Sequence, residues 1–486
     1  MSGGERTLIT GAYVVTMDEE LGEIADGQVL IEGETIAAVG RDLGVTDAEL
    51  VDGSGSIVVP GFVDTHRHTW QTCFRGVCAD WTLRDYFRGV RQRISPNCGA
   101  DDVYAGNWVG ALEALDAGVT TILDFSHCMN TPEHADAALA GLRDAGIRAI
   151  FGYGYFPAPT AESPFGDHAD RVADARRIRA GELSSNSGLI RMGIALTETG
   201  LLPFEATLAE IASAREMEVP VVLHTGCSWG SPVTEGIPEL AHHGLLGPEQ
   251  VHVHCNTLDE RNFDRLAEAD CKISASPETE LQMGMGHPVI SRALSRGMRP
   301  SLSCDVISSN SGDMFAQMRL GLQFERAMAN DVHIGRNAMV ETLGLGTRDA
   351  LRWGTANGAH AMGMEDRIGS ITPGKQADLV VIGGGRLNMI PVADPVGAVV
   401  QQANASNVDH VLVAGSFVKR DGDLVGVDLD HARRLAEESS QRVLAAATAD
   451  GGPLLPPPDP SFDDAINAMA SANLARAWSI APETGG

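Results

Sequence analysis

The stretch Val58–His68 reads VVPGFVDTHRH, a β-branched run that ends in two histidines separated by one residue. Successive side chains of a β-strand point to opposite faces, so His66 and His68 project from the same face. Two imidazoles that lie this close on one face can bind a single metal ion. In a chain with fifteen histidines, an isolated pair also fits a strand end that carries two polar residues. Other features of the sequence are needed to distinguish these two interpretations.

The composition indicates a globular protein with a sizeable core. The chain has 486 residues, of which 43% are hydrophobic, and this length suits a large catalytic domain with an accessory one. The formal net charge of −29 argues against nucleic acid or an anionic membrane as a partner, because phosphate groups are bound by basic surfaces. We therefore expect neither nucleic acid nor a membrane surface as a partner, and the resemblance described below implies a small-molecule substrate.

The amino-terminal residues and the cysteines bear on the compartment. The first ten residues, MSGGERTLIT, lack the basic and apolar segments of a secretory signal, and no stretch approaches eighteen uncharged apolar residues. The eight cysteines are scattered and form no CxxC motif, which is typical of reduced thiols in a cytosol. We expect a cytoplasmic protein without disulfide bonds.

Two strand-rich ends flank a long alternation of strands and helices. After Pro60, eight compact β-branched runs alternate with helical patterns such as the one from Ala100 to Ala117. Eight strand–helix units predict an α/β protein, a parallel (β/α)8 TIM barrel. Short strands and tight turns stand before and after it, and we expect them to pair into one small β-sandwich built from both chain ends. The predicted units are the first β-sandwich part over 1–59, the barrel over 60–365, the second β-sandwich part over 366–425 and a helical tail over 426–486.

Five polar side chains that can bind a metal stand at the ends of predicted barrel strands. The first strand ends in His66 and His68, the fifth in His224, the sixth in His254 and the eighth in Asp305. The carboxyl ends of barrel strands open on one face, where the reactive groups of such enzymes lie. Imidazole and carboxylate suit Zn, Fe, Co or Mn rather than Mg or Ca. Five candidate ligands on one face of the barrel are far stronger evidence for a metal site than the first histidine pair alone.

The sequence resembles the amidohydrolase superfamily over about residues 6–420, in the branch of cytosine deaminase, adenosylhomocysteine deaminase and triazine hydrolases. The resemblance is carried by PGFVDTHRH, the two later histidine strand ends, the aspartate followed by VISSNSGDMF, and GSITPGKQADLVVI. It implies a deformed barrel with a metal ion held by His66, His68, His224 and Asp305, and with His254 contacting water or substrate. Two-metal members bridge their ions with a carboxylated lysine on the fourth strand. Because the corresponding run IRMGIAL has no lysine, we expect one divalent ion, zinc first, with iron or cobalt as alternatives.

The chain departs from this branch at one position of the proton-transfer machinery. Ring deaminases and triazine hydrolases of the branch carry a glutamate three residues after the fifth-strand histidine, which passes a proton to the ring nitrogen. Here that position is Cys227. Substrates whose reacting carbon is already an acyl carbon need no ring protonation. We therefore expect a hydrolase that cleaves a non-peptide C–N or C–S bond of a small neutral amide, urea, carbamate or thiocarbamate, near molinate and phenylurea hydrolases.

Two other functions stay open. The overall resemblance favours a hydrolytic deaminase or dechlorinase of a cytosine-, adenosine-, guanine- or triazine-type ring. The other alternative is a non-catalytic assembly protein that kept the barrel, but such relatives lose ligands that this chain retains. In either enzyme, we expect a metal-activated water to attack carbon, Asp305 to move its proton to the leaving group, and His254 to stabilise the oxyanion. By analogy we also expect a homo-oligomer.

Residues on the loops after the strands are candidates for contacts with substrate. Packing within a lid, or exposure to solvent, is the alternative role for each of them. The candidates are Trp70, Gln71 and Arg75 on the first loop, His127 after the second strand, Cys227 after the fifth, and Glu278 and His287 beyond the seventh.

Overall fold

The computed structural model describes residues 6–156, 164–228 and 236–482. Residues 1–5 of the predicted unit 1–59 and residues 483–486 of the predicted tail 426–486 lie outside the described residues. Strands come first, an alternation of strands and helices follows, and further strands and two long helices end the chain. In chain order the strands are β1 (Arg6–Val15), β2 (Glu23–Glu32), β3 (Thr35–Gly40), β4 (Glu49–Asp52), β5 (Ser56–Pro60), β6 (Phe62–Arg67), β7 (Val119–Ser126), β8 (Arg148–Gly154), β9 (Ile190–Ala195), β10 (Val221–Thr225), β11 (Gln250–His254), β12 (Lys272–Ala275), β13 (Ser301–Leu302), β14 (Leu379–Gly383), β15 (Val408–Val413), β16 (Ser416–Arg420) and β17 (Asp423–Leu424).

The helices begin and end at residues that suit helix termini. For example, the second long helix of the barrel starts after Thr131, has Pro132 in its first turn and ends at Gly146 in a left-handed conformation, φ 74°. A π-helical segment, Phe87–Ile94, follows the first α-helix. The α-helices are α1 (Leu83–Tyr86), α2 (Ala100–Asp116), α3 (Pro132–Ala145), α4 (His168–Ala180), α5 (Phe204–Glu216), α6 (Ile237–His242), α7 (Glu260–Glu268), α8 (Pro277–Gln282), α9 (Ile290–Leu294), α10 (Met314–Gly335), α11 (Thr347–Trp353), α12 (Ala356–Ala361), α13 (Pro395–Gln401), α14 (Leu429–Ala447) and α15 (Pro460–Ala477).

Strands β6 to β13 form a parallel barrel in the order of the chain. The barrel is nearly closed by a backbone bridge between Arg67 and Asp305, beside which the Asp305 amide donates to the His66 carbonyl at 2.9 Å. Inward-facing apolar side chains fill it and meet α12 and the loop after it. The predicted TIM-barrel class is confirmed. This inner cluster consists of Val63, Leu123, Phe125, Ile150, Ala195, Val222, Val251, Val253, Ala359, Met362, Met364 and Ile368.

The two chain ends build one mixed sheet beside the barrel. In the described ranges it has nine strands, in the order β17-β16-β15-β14-β5-β1-β2-β3, with β4 paired to β1. The two ends meet where β14 runs antiparallel to β5, with Leu379 opposite Pro60. This confirms the prediction of one small β unit formed by both ends. Because β6 starts two residues after β5 ends, the sheet sets the start of the first barrel strand.

Two helices of the tail pack on different sides of the barrel. Helix α14 is fixed to α2, since Arg442 Nη1 and Ser439 Oγ both bond the Asp102 carboxylate, at 3.0 and 2.6 Å. Helix α15 reaches the other side, where the Ala477 carbonyl accepts a hydrogen bond from His243 Nε2 at 2.8 Å. Across the described residues, we find no helix that is both long and apolar enough to cross a lipid bilayer.

Candidate metal site and active-site cavity

The ends of four barrel strands bring together the five side chains predicted from the sequence. His66 lies in β6 and His68 directly after it, His224 lies in β10, His254 ends β11, and Asp305 follows β13. Four of them are buried, and His224 is partly exposed. Asp305 and His254 have positive φ angles of 59° and 76°. Such angles are uncommon outside glycine and occur preferentially at functional sites, where the surrounding structure holds the strain.

Short separations of donor atoms connect these side chains. They fall into two overlapping groups, one of His66, His68 and Asp305 and the other of His66, His224 and His254, and within each group the donor atoms lie within 4.8 Å of one another. Asp305 Oδ1 lies 3.1 Å from His66 Nε2 and 3.3 Å from His68 Nε2. His224 Nε2 lies 3.3 Å from His66 Nε2. Four ligands at bond lengths of about 2.0–2.1 Å around a tetrahedral ion stand about 3.3–3.4 Å apart. His254 Nε2 faces the other carboxylate oxygen, Asp305 Oδ2, at 3.6 Å, and so borders this set.

Hydrogen bonds on the far side of two imidazoles fix the nitrogen that faces the site. His68 Nδ1 donates to the Phe125 carbonyl at 3.1 Å. His224 Nδ1 donates to Glu198 Oε1 at 2.9 Å. With the proton on Nδ1, the Nε2 lone pair of each ring is free for a metal ion, and a bonded ring is also held in orientation.

Burial and neighbouring charges determine which groups of the site are protonated near neutral pH. Burial lowers the pKa of His66 to about 4 and that of His68 well below its usual value, so both rings are neutral near pH 7. Burial alone would raise the pKa of Asp305, but the surrounding imidazoles outweigh it and lower that pKa. For His254, burial is outweighed by the hydrogen bond to Glu280 and the charge of Asp305, which raise its pKa. The neutral imidazoles and the ionised Asp305 are therefore suited to binding a cation. His254 is suited to donating a hydrogen bond.

A cavity of about 530 Å³ opens above these groups. His68, His224, His254 and Asp305 line its inner end, which we call the cavity floor together with the adjoining His66. Its walls come from the segment 83–92, the loops after β9, β12 and β13, and helix α15. Its size suits a small-molecule substrate.

Of the residues predicted to contact substrate, His127 and Cys227 line this cavity. The His127 ring stacks on His68 with centroids 4.1 Å apart. Burial raises the pKa of the Cys227 thiol to about 12, so the thiol stays protonated at neutral pH. Cys227 is therefore a weak hydrogen-bond donor or a piece of the wall, and no carboxylate replaces it at this position of the chain.

Trp70 and Gln71 lie behind the wall. Trp70 Nε1 donates to His127 Nδ1 at 3.1 Å, and Gln71 Nε2 donates to the Tyr86 hydroxyl at 2.7 Å. Tyr86 in turn lies 3.2 Å from His127 Nε2. The two residues thus hold side chains that line the cavity and do not line it themselves.

The other three predicted contacts lie away from the cavity surface. Arg75 pairs with Glu113 at 2.5 Å on the outside of the barrel. Glu278 accepts a hydrogen bond from Gln317 Nε2 at 2.7 Å. The His287 side chain is exposed. The structure therefore brings together the five residues of the floor and two of the seven predicted wall residues.

Two charged residues of the wall were not predicted. Glu198 lines the cavity with its side chain 12% exposed, and its Oε2 has no hydrogen-bond partner among the described residues. Arg91 is buried, its Nη1 donates to the His127 carbonyl at 3.1 Å, and its Nη2 likewise has no partner in the described ranges. Glu198 follows the fourth barrel strand, so the strand-end argument could have identified it. Arg91 lies in a helical segment, which gave no such signal.

The chain matches the model of the amidohydrolase family over residues 57–418. The chain belongs to this family. A 5′-deoxyadenosine deaminase from Methanothermobacter thermautotrophicus is 29% identical over 451 residues, which cover 90% of this chain and 98% of the relative. A 5-methylthioadenosine/S-adenosylhomocysteine deaminase from Syntrophus aciditrophicus is also 29% identical, over 89% of this chain and 97% of the relative.

Solved structures share the fold. An adenosine deaminase from Xanthomonas campestris with bound zinc superposes with a TM-score of 0.79 at 24% identity, covering 91% of this chain and 99% of that one. A mutant atrazine chlorohydrolase from Arthrobacter aurescens, in complex with zinc and atraton, also gives 0.79, at 21% identity and over 90% and 100% of the two chains. The chain is thus an amidohydrolase-family protein with this family's fold and a His-rich candidate metal site.

Proposed function

We propose that the protein is a metal-dependent hydrolytic deaminase of a heteroaromatic amine. It would replace an exocyclic amino group by oxygen, so that the ring amine and water give the oxo (hydroxy) compound and ammonia. The observation that carries this proposal is the convergence of three imidazoles and one carboxylate on the cavity floor. The names of the two relatives support deamination over amide or urea cleavage.

His66, His68, His224 and Asp305 would hold one divalent transition ion, zinc first and iron or cobalt as alternatives. When bound, such an ion lowers the pKa of a water from about 15.7 to about 7 and so supplies a nucleophile at neutral pH. Structural neighbours crystallised with zinc support this choice.

The chain's own groups would move the protons. Asp305 Oδ2, the carboxylate oxygen nearest His254, would take the proton of the attacking water and deliver it to the leaving amino group. His254 Nε2, held by the Nδ1 bond to Glu280 at 3.2 Å, would donate a hydrogen bond to the oxygen that adds to the ring carbon.

Glu198 would supply the carboxylate that the chain lacks at position 227. Its Oε1 accepts the hydrogen bond from His224, and its Oε2, which lacks a partner among the described residues, belongs to a side chain that lines the cavity. Burial alone would raise the pKa of Glu198, but the hydrogen bond from His224 and nearby charges together outweigh burial and lower it, so the carboxylate is ionised at neutral pH. We assign it the transfer of one proton: it would accept the second proton of the attacking water and donate it to the ring nitrogen beside the reacting carbon, while Asp305 carries the first to the leaving amino group. A carboxylate from the end of β9 would thus do what the branch does from the end of β10.

Cys227 favours one second candidate function. Hydrolysis of an amide, urea, carbamate or thiocarbamate needs no proton on a ring nitrogen, and the Cys227 thiol is a poor acid for such a transfer because burial raises its pKa to about 12. The proximity to molinate and phenylurea hydrolases, the homo-oligomeric state and the cytoplasmic location stay predictions.

A substrate screen tests the proposal. Zinc-loaded protein is incubated with purine, pyrimidine and triazine amines and with phenylureas and thiocarbamates, and released ammonia and released amine are measured separately. We expect ammonia from a ring amine, and none from the same compound with Asp305→Asn. Release of amine or thiol from the acyclic compounds, without ammonia from any ring amine, would overturn the proposal in favour of the second candidate.

A further inference from the structure

Helix α15, at the far end of the chain, forms part of the active-site cavity. Phe462, Ile466 and Met469 line the same cavity as the floor residues. They stand at positions i, i+4 and i+7, which share one face of a helix. The family match ends at residue 418, so this part of the cavity lies outside the matched region.

A second face of α15 is attached to the barrel. Ala470, Leu474 and Ala477 are buried, whereas the cavity-lining Phe462 and Met469 are 41% and 40% exposed. Large apolar side chains that are left accessible on a helix whose other face is buried indicate a surface that binds something.

Polar contacts fix the helix at both ends. Near its start, Asp463 pairs with Arg84 at 2.6 Å. Toward its end, Asn473 Nδ2 donates to the Gly200 carbonyl at 3.0 Å, and Arg476 pairs with a glutamate of α5. The helix is therefore held over the cavity as a fixed wall. Asp463 and Asn467 also line the cavity, and the Asp463 carboxylate is paired with Arg84.

We propose that Phe462, Ile466 and Met469, the outer wall, select substrates that carry an apolar substituent remote from the reacting carbon. This inference rests on the proposed function. The occupant is the substrate itself, because the outer wall is continuous with the cavity whose inner end holds the metal-binding set. The reacting ring would lie at the floor, and an alkyl, alkylthio or aryl substituent would pack against α15.

The test compares two substrates that differ in this substituent. For a purine site they are adenosine, with a polar 5′-hydroxyl, and 5′-methylthioadenosine; for another ring, a hydroxyalkyl and an alkylthio derivative of the amine that the screen identifies. We expect wild-type protein to prefer the alkylthio compound in kcat/KM. Phe462→Ala and Ile466→Ala should each lower that preference by about 10-fold or more, since a lost apolar contact in a pocket changes selectivity by about 10–200-fold.

Control variants separate the outer wall from general damage. Ser471→Ala changes an exposed residue of the same helix and should keep the wild-type preference. Phe462→Leu should restore most of what Phe462→Ala loses. Metal content should stay at the wild-type level in every variant, and Ser471→Ala should also keep the wild-type kcat/KM for both compounds. An unchanged preference in Phe462→Ala and Ile466→Ala would overturn the inference while leaving the proposed function intact.

Failure of the proposed function gives a different result. In that case wild-type protein releases ammonia from neither compound, and the same pair is compared by calorimetric affinity. Tighter binding of the alkylthio compound that Phe462→Ala abolishes would still support the outer wall. Equal affinity for the two compounds, or no binding of either, would overturn it.

Discussion

The cavity floor and the outer wall face the same space but arise in different ways. The floor is made where strands end: each of its side chains lies within or beside the carboxyl end of β6, β10, β11 or β13. The outer wall comes from a single helix, α15, which begins more than 150 residues beyond the last floor residue in sequence. The topology of the barrel thus places the proposed catalytic groups, whereas a peripheral segment can change which substrate is bound.

The largest expected effect is at the floor. Asp305→Asn changes the proposed metal ligand and the proposed proton carrier, so kcat should fall by about 10²–10⁴-fold. The measurement is ammonia release by zinc-loaded variant and wild type. Asp259→Asn is the matched control, because Asp259 caps α7 and asparagine caps helices equally well. Near-normal turnover by Asp305→Asn would separate the floor from catalysis.

A smaller effect is expected one contact away from the metal-binding set. Glu198→Gln weakens the hydrogen bond that orients His224, and loss of such a partner lowers metal affinity or activity by about 10–100-fold. Competition with a chromogenic chelator measures the affinity. Cys227→Ala, at the position where the branch has its glutamate, should leave that affinity unchanged. Lower metal affinity in Cys227→Ala, together with wild-type affinity in Glu198→Gln, would show that Cys227 rather than Glu198 supports metal binding.

His252 lies two residues before the floor residue His254 in β11, but we expect it to affect stability rather than turnover. His252 is buried outside the cavity, bonded to Thr225 at 2.9 Å, and burial lowers its pKa to about 3. Because the unfolded chain binds this proton with a pKa near 6.5, the free energy of unfolding should fall on acidification, by about 2 kcal/mol between pH 7 and pH 5. Urea unfolding of His252→Gln should lack this component and turnover at pH 7 should persist. An unchanged pH dependence in the variant would contradict the assignment.

The smallest effect concerns the attachment of the outer wall. Arg84→Ala breaks the pair with Asp463, in which Arg84 is 60% exposed. Exposed pairs contribute about 0.2–1 kcal/mol, so the free energy of unfolding should change by no more than this. We expect KM for the apolar substrate to rise modestly with kcat unchanged. A loss of kcat equal to that of a floor variant would mean that the two regions are not separable.

The sequence predicted the barrel and the side chains of the floor because both follow from local pattern. β-branched runs of regular spacing give the strands, and polar residues at their ends lie on one face by topology. His224 obeys simple alternation, since Val222 belongs to the inner apolar cluster. His254 does not: Val251 and Val253 are inner residues, so alternation would turn it outward with His252, and its positive φ of 76° turns it to the floor.

The walls were less predictable because they depend on contacts between distant segments. Trp70 and Gln71 stand close to the first histidine pair in sequence, yet they hydrogen-bond to other wall side chains behind the surface. The sequence predicted a helical tail over 426–486, and α15 lies within it. Its place over the cavity depends on Asn473 and Arg476 meeting the loop after β9 and helix α5, which no local pattern reveals.

The metal content of the purified chain shows whether the cavity floor holds a metal ion. Protein loaded with zinc, passed through a desalting column and analysed by plasma mass spectrometry should retain one ion per chain. His66→Ala and His224→Ala should retain far less, while His252→Gln retains one. Wild-type protein that holds no stoichiometric ion, or histidine variants that keep it, would contradict the account.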